Sequence, residues 1–296
     1  MRKRWNEEKR VSKDDLVLMI SYLLGINLGQ ARTALAREHI VLEDNQEEEL
    51  ELMVQKRATG LPLQYAIGRW NFYGRDFLVD ERALIPRPET EFLVEDVINR
   101  LVEDPEKEWE ICDIGTGTGI IPLTLAYESV ERRARGEVSL RLGKIVGGDI
   151  SPEARTLAEE NEQFLAERSP IGLKWNVEKQ APLSWVQSDL FENISGVFDV
   201  IISNPPYVEE RKREDLEAEL SYEPSLALFA GDDGLDVYRR LIPQAYNHLK
   251  PGGLLFLEIG DGQGQEISQI LANNNFQEID IYNDYAGFNR RVIARK

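Results

Sequence analysis

The sequence predicts an α/β fold: a mostly parallel, doubly covered sheet of seven strands, preceded by a small N-terminal helical bundle and a β-hairpin linker. Three observations predict it. From about residue 109 onward, short apolar runs of strand length alternate with segments of helical period. The first of these runs, EICDI (110–114), leads directly into the glycine-rich turn GTGTG (115–119). Before residue 61 the apolar residues recur at helical spacing instead.

Residues 1–68 read as helical. Ser12 followed three residues later by Asp15 has the form of a capping box, in which each side chain accepts a backbone N–H left over at a helix start. It leads into LVLMISYLLG (16–25), where Gly25 provides the stop. A second helix is expected over 29–38 and a third from about Gln46, with Leu50, Met53 and Val54 on one face. At Leu61 the character changes. The stretch LPLQYAIGRWNFYGRDFLVD (61–80) mixes aromatic and branched residues with turn glycines at 68 and 74, and is expected to form a β-hairpin between domains. Next, ALIPRPETEFLVEDVINRLV (83–102) puts two prolines just before a helix, with Glu89 or Thr90 in its first turn and Phe92, Leu93, Val97 and Ile98 beneath it. The expected division is therefore a bundle over 1–68, a linker over 69–84 and an α/β domain over 85–296.

Within that last domain, strands are predicted at 110–114, 144–149, 183–187, 198–203, 253–259, 277–282 and 291–295, with helices starting near Ile120, Pro152 and Gly234. Ser151 as N-cap with Pro152 at the first helical position is a good local start signal. The last two strands are joined by YNDYAGFN (282–289), too short for a crossover helix, so they are expected to pair antiparallel. The polar stretches 128–144 and 166–182 are read as surface excursions without chemistry.

Composition excludes several function classes. With 296 residues, 42% hydrophobic and 30% charged, the chain is long and apolar enough to fold around a sizeable core. Its one cysteine, Cys112, excludes an intramolecular disulfide and a multi-cysteine metal cluster, and Cys112 itself is expected to be inert core. Two histidines, His39 and His248, exclude a histidine-rich zinc site, and no metal is expected. No run approaches the roughly 20 apolar residues that span a bilayer, and MRKRWNEEKR (1–10) lacks a signal-peptide core. A cytoplasmic location and no membrane contact are expected. Lys and Arg total 35 against 53 Asp and Glu, a net charge of -18. Phosphate binding runs on clustered cations, so stable nucleic-acid binding is not expected, despite local basic residues in 1–10 and at Arg290, Arg291, Arg295 and Lys296.

The candidate binding residues cluster at strand ends, where open α/β sheets hold ligands. Gly115, Gly117 and Gly119, with Thr116 and Thr118 between them, form a loop whose backbone can turn sharply and approach a ligand closely. It is not the dinucleotide fingerprint, because Ile120 stands where the pattern needs a later glycine, and it is not a P-loop. Asp149 ends the next strand and suits the two hydroxyls of a ribose. Asp189 ends the third, where a carboxylate can accept from an adenine amino group while Leu190 and Phe191 offer apolar surface to the base. Three acidic strand ends (Asp113, Asp149 and Asp189) would repel a pyrophosphate but suit a ligand with ribose, adenine and a positive centre. S-adenosylmethionine meets that description.

The fourth strand ends in NPPY (204–207). Two successive prolines have fixed φ and no N–H, so the loop is stiff and its carbonyls are free to accept. The Asn204 amide oxygen and the Pro205 carbonyl are suited to take the two N–H groups of a planar NH2 substrate, with Pro206 and Tyr207 completing the binding motif and Tyr207 stacking on or walling off the substrate plane. An amide nitrogen is a poor nucleophile because its lone pair is delocalised. Two fixed acceptors favour a geometry in which that pair points at a sulfonium methyl. Asn204, Pro205 and Tyr207 are thus the expected catalytic residues, and Asn204 also borders the cofactor.

NPPY resembles the amino methyltransferases as a group, whose sheets also end in an antiparallel pair. The runs LIPRPETEFLV (84–94), DIGTGTGIIPLTLA (113–126), SNPPYV (203–208), EPSLALFAGDDGLDVYRRL (223–241), PGGLLFLEIG (251–260) and DYAGFNRRVIA (284–294) resemble the HemK/PrmC family of peptide chain release factor glutamine N5-methyltransferases. The resemblance covers nearly the whole chain. It implies a class I, Rossmann-like S-adenosylmethionine-dependent methyltransferase fold. The implied reaction is methylation of the glutamine in the Gly-Gly-Gln motif of bacterial class 1 release factors by a monomer whose N-terminal bundle helps hold the factor. The alternatives are a ribosomal protein L3 glutamine methyltransferase and a nucleic acid adenine amino-methyltransferase. Leu190 stands where some relatives have an aromatic. Arg87, Glu89 and Glu223 are read as shaping the entrance or forming a structural ion pair, Glu258 as lying behind the site, and the loop after the motif, VEERKREDLEAELSYEP (208–224), as a lid or partner contact.

Overall fold

The structure, a computed structural model, describes residues 11–37, 40–138, 140–168, 183–215 and 218–296. The basic residues of 1–10, His39 and most of the 166–182 excursion lie outside the described residues.

The bundle comprises α1 (Lys13–Leu24), α2 (Leu28–Arg37), α3 (Asp44–Ala58) and the short α4 (Leu63–Ile67). The Ser12 capping box is present, with Asp15 N–H donating to Ser12 Oγ and Ser12 N–H to Asp15 Oδ2, both at 3.0 Å, a device worth about 1 kcal/mol. Gly25 ends α1 in the left-handed conformation. Leu16, Met19, Ile20, Leu50, Met53 and Val54 form a core of the bundle's own. Of the two readings that overlap at 61–68, the helical one stands and the hairpin one is corrected: the hairpin begins only at Arg69. Pro62 at the N-cap and Gly68 at the C-cap bracket one helical turn, and Leu63, Ala66 and Ile67 fall at helical spacing on the bundle core. The hairpin proper is β1 (Arg69–Phe72) with β2 (Arg75–Leu78), and Phe72 and Phe77 seal it onto the larger domain.

That domain runs α5 (Pro88–Leu101), β3 (Trp109–Ile114), α6 (Ile120–Ala134), β4 (Leu142–Asp149), α7 (Pro152–Arg168), β5 (Leu183–Gln187), β6 (Phe198–Ser203), a single turn α8 (Ser225–Leu228), α9 (Asp236–His248), β7 (Leu249–Glu258), α10 (Gly264–Asn273), β8 (Gln277–Asn283) and β9 (Asn289–Arg295). The sheet order is β5-β4-β3-β6-β7-β9-β8, parallel except for β9, which is antiparallel to both neighbours. The antiparallel ending read from 282–289 is therefore present. Strand alternation sorts the apolar residues onto two faces. Ile111, Ile145, Val200, Ile202, Leu254 and Phe256 pack under α5, α6 and α7. Cys112, Val146, Ile201, Leu255 and Leu257 pack under α9 and α10, and Cys112 is fully buried. Among the described residues no helix is long and apolar enough to cross a membrane.

The carboxyl ends of β3, β4, β5 and β6 open onto one crevice, and two polar anchors hold neighbouring elements there. Buried Asn161 on α7 accepts from Leu78 N–H at 2.6 Å and donates to the carbonyls of Leu78 and Thr118. It thereby fastens the hairpin to the glycine-rich loop. Ser203 Oγ donates to the Ile114 carbonyl at 2.6 Å, tying the end of β6 to that of β3.

Candidate active site

The crevice is a cavity of about 400 Å³, within the range of small-molecule sites. Its floor is the turn after β3. Gly115 and Thr116 N–H donate to the Gly148 carbonyl at 2.8 and 3.0 Å, and Gly119 N–H closes onto the Thr116 carbonyl at 2.8 Å. Gly115, Gly117 and Gly119 all have positive φ. At Gly119 the requirement is doubled: φ is +77° and a Cβ would sit 2.7 Å from Trp185 Cη2. Gly119→Ala is accordingly expected to lower stability by roughly 1–3 kcal/mol, measured as the shift in urea midpoint; an unchanged midpoint would remove Trp185 as the constraint.

Asp149 holds the loop to the end of β4. Its Oδ2 accepts from Gly117 N–H at 2.8 Å and its Oδ1 from Ser151 N–H at 2.9 Å. Burial raises its pKa, and these backbone donors pull it partly back. An ionised carboxylate offers about four acceptor positions, so these backbone bonds leave capacity for a ligand. Ser151 also caps α7 as read from the sequence, accepting from Ala154 N–H at 3.0 Å.

The cavity wall contains Gly115, Thr116, Gly117, Thr118, Asp149, Asp189, Leu190, Asn204, Pro205 and Pro206 from the sequence-predicted set. Leu190 holds a positive φ of 51°, an uncommon conformation for a branched residue, and Asp189 pairs with Arg240 at 2.7 Å.

Four predicted residues lie elsewhere. Asp113 does not reach the cavity, because strand alternation puts it on the Ile111 face of β3 while Ile114 faces the crevice. It is buried beneath the loop, and neither of its oxygens nor the Thr116 hydroxyl beside it finds a hydrogen-bond partner. Burial pushes this acid up to about 7, with the Asp149 charge adding to the rise. Gly119 makes room for Trp185 rather than facing a ligand. Phe191, expected against an adenine, is instead stacked on His248 at 4.4 Å in the core under α9. Tyr207, expected to stack on substrate, packs its ring against Gly260 and that same core. Its carbonyl accepts from Gln263 Nε2 at 3.1 Å. Tyr207 thus braces the NPPY loop from behind, and partial burial raises the pKa of its phenol above the ordinary value.

Asp113 supplies a pH-dependent test. Its folded-state pKa lies above the unfolded one, so the folded state binds the extra proton and the penalty for charging it grows as pH rises from about 4 to about 7. Asp113→Asn is expected to unfold at a temperature roughly 2–8 °C above the wild type at pH 8, the gap closing toward pH 4. A gap that is constant with pH would contradict this.

Several residues of the wall were given no binding role by the sequence. Thr90, in the first turn of α5, accepts from Asn204 Nδ2 at 3.1 Å and donates from Oγ1 to Glu258 Oε2 at 2.7 Å. Arg87 bonds Glu223 Oε1 at 2.5 Å, and Ile85 N–H donates to Glu223 Oε2 at 2.9 Å. Arg87 and Glu223 are therefore an ion pair that also shapes the wall. Prolines on both sides of Arg87 were the available signal. The segment after NPPY folds into two 3₁₀ turns, Glu210–Asp215 and Ala218–Tyr222. It is tied to the bundle by Arg57 and Glu219 at 2.7 Å and by Tyr222 Oη donating to the Thr59 carbonyl at 3.1 Å. Among the described residues no acidic, histidine or cysteine cluster is arranged to hold a metal.

The family model described as Eco57I restriction-modification methylase matches residues 143–288, just under half of the chain. That span includes NPPY but not the glycine-rich loop. Among solved structures, the Thermus thermophilus 16S rRNA N2 G1207 methyltransferase in complex with AdoMet and guanosine aligns with a TM-score of 0.50 at 18% identity, over 77% of this chain and 49% of that one, a likeness of fold. Longer and closer matches come from named relatives. The release factor glutamine methyltransferase of Koribacter versatilis is 37% identical over 82% of this chain and 78% of its own length. That of Moorella thermoacetica is 38% identical over 81% and 77%. With the class I methyltransferase sheet in place and the NPPY motif at the end of its β6, this chain belongs to the release factor glutamine methyltransferase family.

Proposed function

We propose that this chain methylates the side-chain amide nitrogen, N5, of the glutamine in the Gly-Gly-Gln motif of a bacterial class 1 release factor. The observation that carries the reading is the orientation of Asn204. Its amide nitrogen is engaged by Thr90, which leaves Oδ1 as an acceptor on the NPPY loop. The glycine-rich turn, with Asp149 beside it, fits S-adenosylmethionine: a floor where Gly115 and Gly117 carry no Cβ, carboxylate acceptor capacity for a ribose, and Leu190 with Asp189 where an adenine would lie.

When bound, S-adenosylmethionine supplies an electrophilic methyl on a sulfonium centre. Asn204 Oδ1 and the Pro205 carbonyl each take one N–H of the glutamine amide, fix its plane and turn its lone pair toward that methyl. The bound cofactor would supply the methyl to that nitrogen, and Asn204 Oδ1 and the Pro205 carbonyl would hold its N–H bonds as positive charge builds there. The methylated nitrogen would then be strongly acidic and give one N–H proton to solvent water, so no pre-charged base is required. Pro206 stiffens the loop and Tyr207 braces it from behind.

In this reading the bundle over 1–68 helps hold the release factor, supported by the Arg57–Glu219 and Tyr222–Thr59 links between the bundle and the loop after NPPY. The hairpin region over 69–84 joins it to the methyltransferase domain over 85–296. We place the protein in the cytoplasm, as a monomer. A nucleic acid amino-methyltransferase is the second reading, favoured only by the Eco57I match and opposed by a net charge of -18. A competition assay separates these. The chain is given labelled S-adenosylmethionine with a release factor, ribosomal protein L3 and duplex DNA together. Label on the release factor is expected; label on L3 or on DNA hands the assignment to that acceptor.

A further inference from the structure

We infer that Thr90 and Glu258 act as a positioning relay that fixes which way the Asn204 amide faces. The inference rests on the reading above, in which Asn204 receives the substrate amide. The three residues come from the first turn of α5 and the ends of β6 and β7. Thr90 and Glu258 are both 1% exposed, so solvent does not compete for their bonds. A hydroxyl carries one proton. Because Thr90 donates it to Glu258 Oε2, its oxygen must accept from Asn204, and what Asn204 can offer is Nδ2. The Asn204 Oδ1 atom is then turned toward the substrate side. With the acid protonated, Glu258 donates to Thr90, the hydroxyl donates to Asn204, and the amide turns over to present N–H groups to a substrate that needs acceptors.

Glu258 faces Glu89 of α5 and Arg290 of β9, with opposite effects on its charge, and its neighbourhood includes the neutral phenols of Tyr207 and Tyr238. Tyr238 Oη donates to the Glu258 backbone carbonyl at 2.7 Å and holds this end of β7 in place. Burial pushes the acid up to about 7, while the Thr90 bond pulls it down. The polarity of the relay therefore changes within an accessible pH range.

The test uses the full-length enzyme with a purified release factor. Thr90→Val, which cuts the link, and Glu258→Gln, whose amide can donate to Thr90 and reverse the chain, are each expected to lower kcat by about 10- to 100-fold. Cofactor Kd by calorimetry and KM for the factor are expected to stay within about threefold of wild type. Thr90→Ser, which restores the hydroxyl, is expected to recover most of the turnover lost in Thr90→Val. Wild-type kcat is expected to rise through about pH 7, and that rise to be absent in both impaired variants. Thr90→Val decides the matter if Glu258→Gln does not fold. Normal kcat in Thr90→Val, failure of serine to rescue, or persistence of the rise near pH 7 in Glu258→Gln overturns the relay while leaving the reaction standing. A wild-type enzyme that leaves the glutamine unmethylated overturns the reading, and the relay with it.

Discussion

Asn204→Ala is expected to bind S-adenosylmethionine with nearly wild-type affinity and to lose about 10²- to 10³-fold in kcat, the scale set by removing one preorganised hydrogen-bonding group from a developing charge. The asymmetry follows from the site. The glycine-rich turn is held by its own backbone bonds and by Asp149, without help from Asn204. What the variant loses is the acceptor that fixes the substrate nitrogen, together with the partner of Thr90. Asn204→Asp would not substitute, because it puts a second carboxylate near Glu258 across a single hydroxyl. Calorimetry for the cofactor and single-turnover kinetics for the methyl transfer separate the two effects. Unchanged single-turnover rates in Asn204→Ala would remove Asn204 from the chemistry.

Asp149→Ala is expected to act on the other half of the reaction, raising the Kd for S-adenosylmethionine by about 10- to 100-fold, or roughly 1.4–2.8 kcal/mol. Two losses add. The ribose hydroxyls lose their acceptor, and the N–H groups of Gly117 and Ser151 lose theirs, which loosens the turn. Asp149→Asn isolates the first from the second. Its amide oxygen can keep one backbone bond, so it is expected to bind the cofactor with intermediate affinity. An unchanged Kd in Asp149→Ala would take this carboxylate out of the binding site.

The two predictions draw on features that were legible in the sequence to different degrees. The β5 and β6 strands fall on the predicted 183–187 and 198–203 because both are bounded by turn residues and filled with branched or aromatic ones. The Gly115–Gly119 turn, Asp149 and NPPY were legible because their chemistry is local: positive φ, a strand-end carboxylate and consecutive prolines. Asp113, Phe191 and Tyr207 were misplaced because a strand-end or loop position does not say which face a side chain takes. Sheet register decides it for Asp113, while the core stacking on His248 and the fit against Gly260 decide it for the two aromatics. The boundary between bundle and hairpin is blurred in the sequence because the five residues Leu63–Ile67 carry too little periodicity to stand apart from the aromatics that follow. Least legible was the contact between Thr90 and Glu258, which are 168 residues apart and meet only because β7 and the start of α5 share one end of the sheet.

Transfer of labelled methyl from S-adenosylmethionine to a purified bacterial class 1 release factor tests the central claim most directly, when the wild-type factor is compared with one whose Gly-Gly-Gln glutamine is replaced by alanine. Label is expected on the wild-type factor, located on that glutamine side chain by mass spectrometry, and none on the replaced factor. Equal labelling of the two factors, or no label on the wild-type factor from an enzyme that still binds the cofactor, would contradict it.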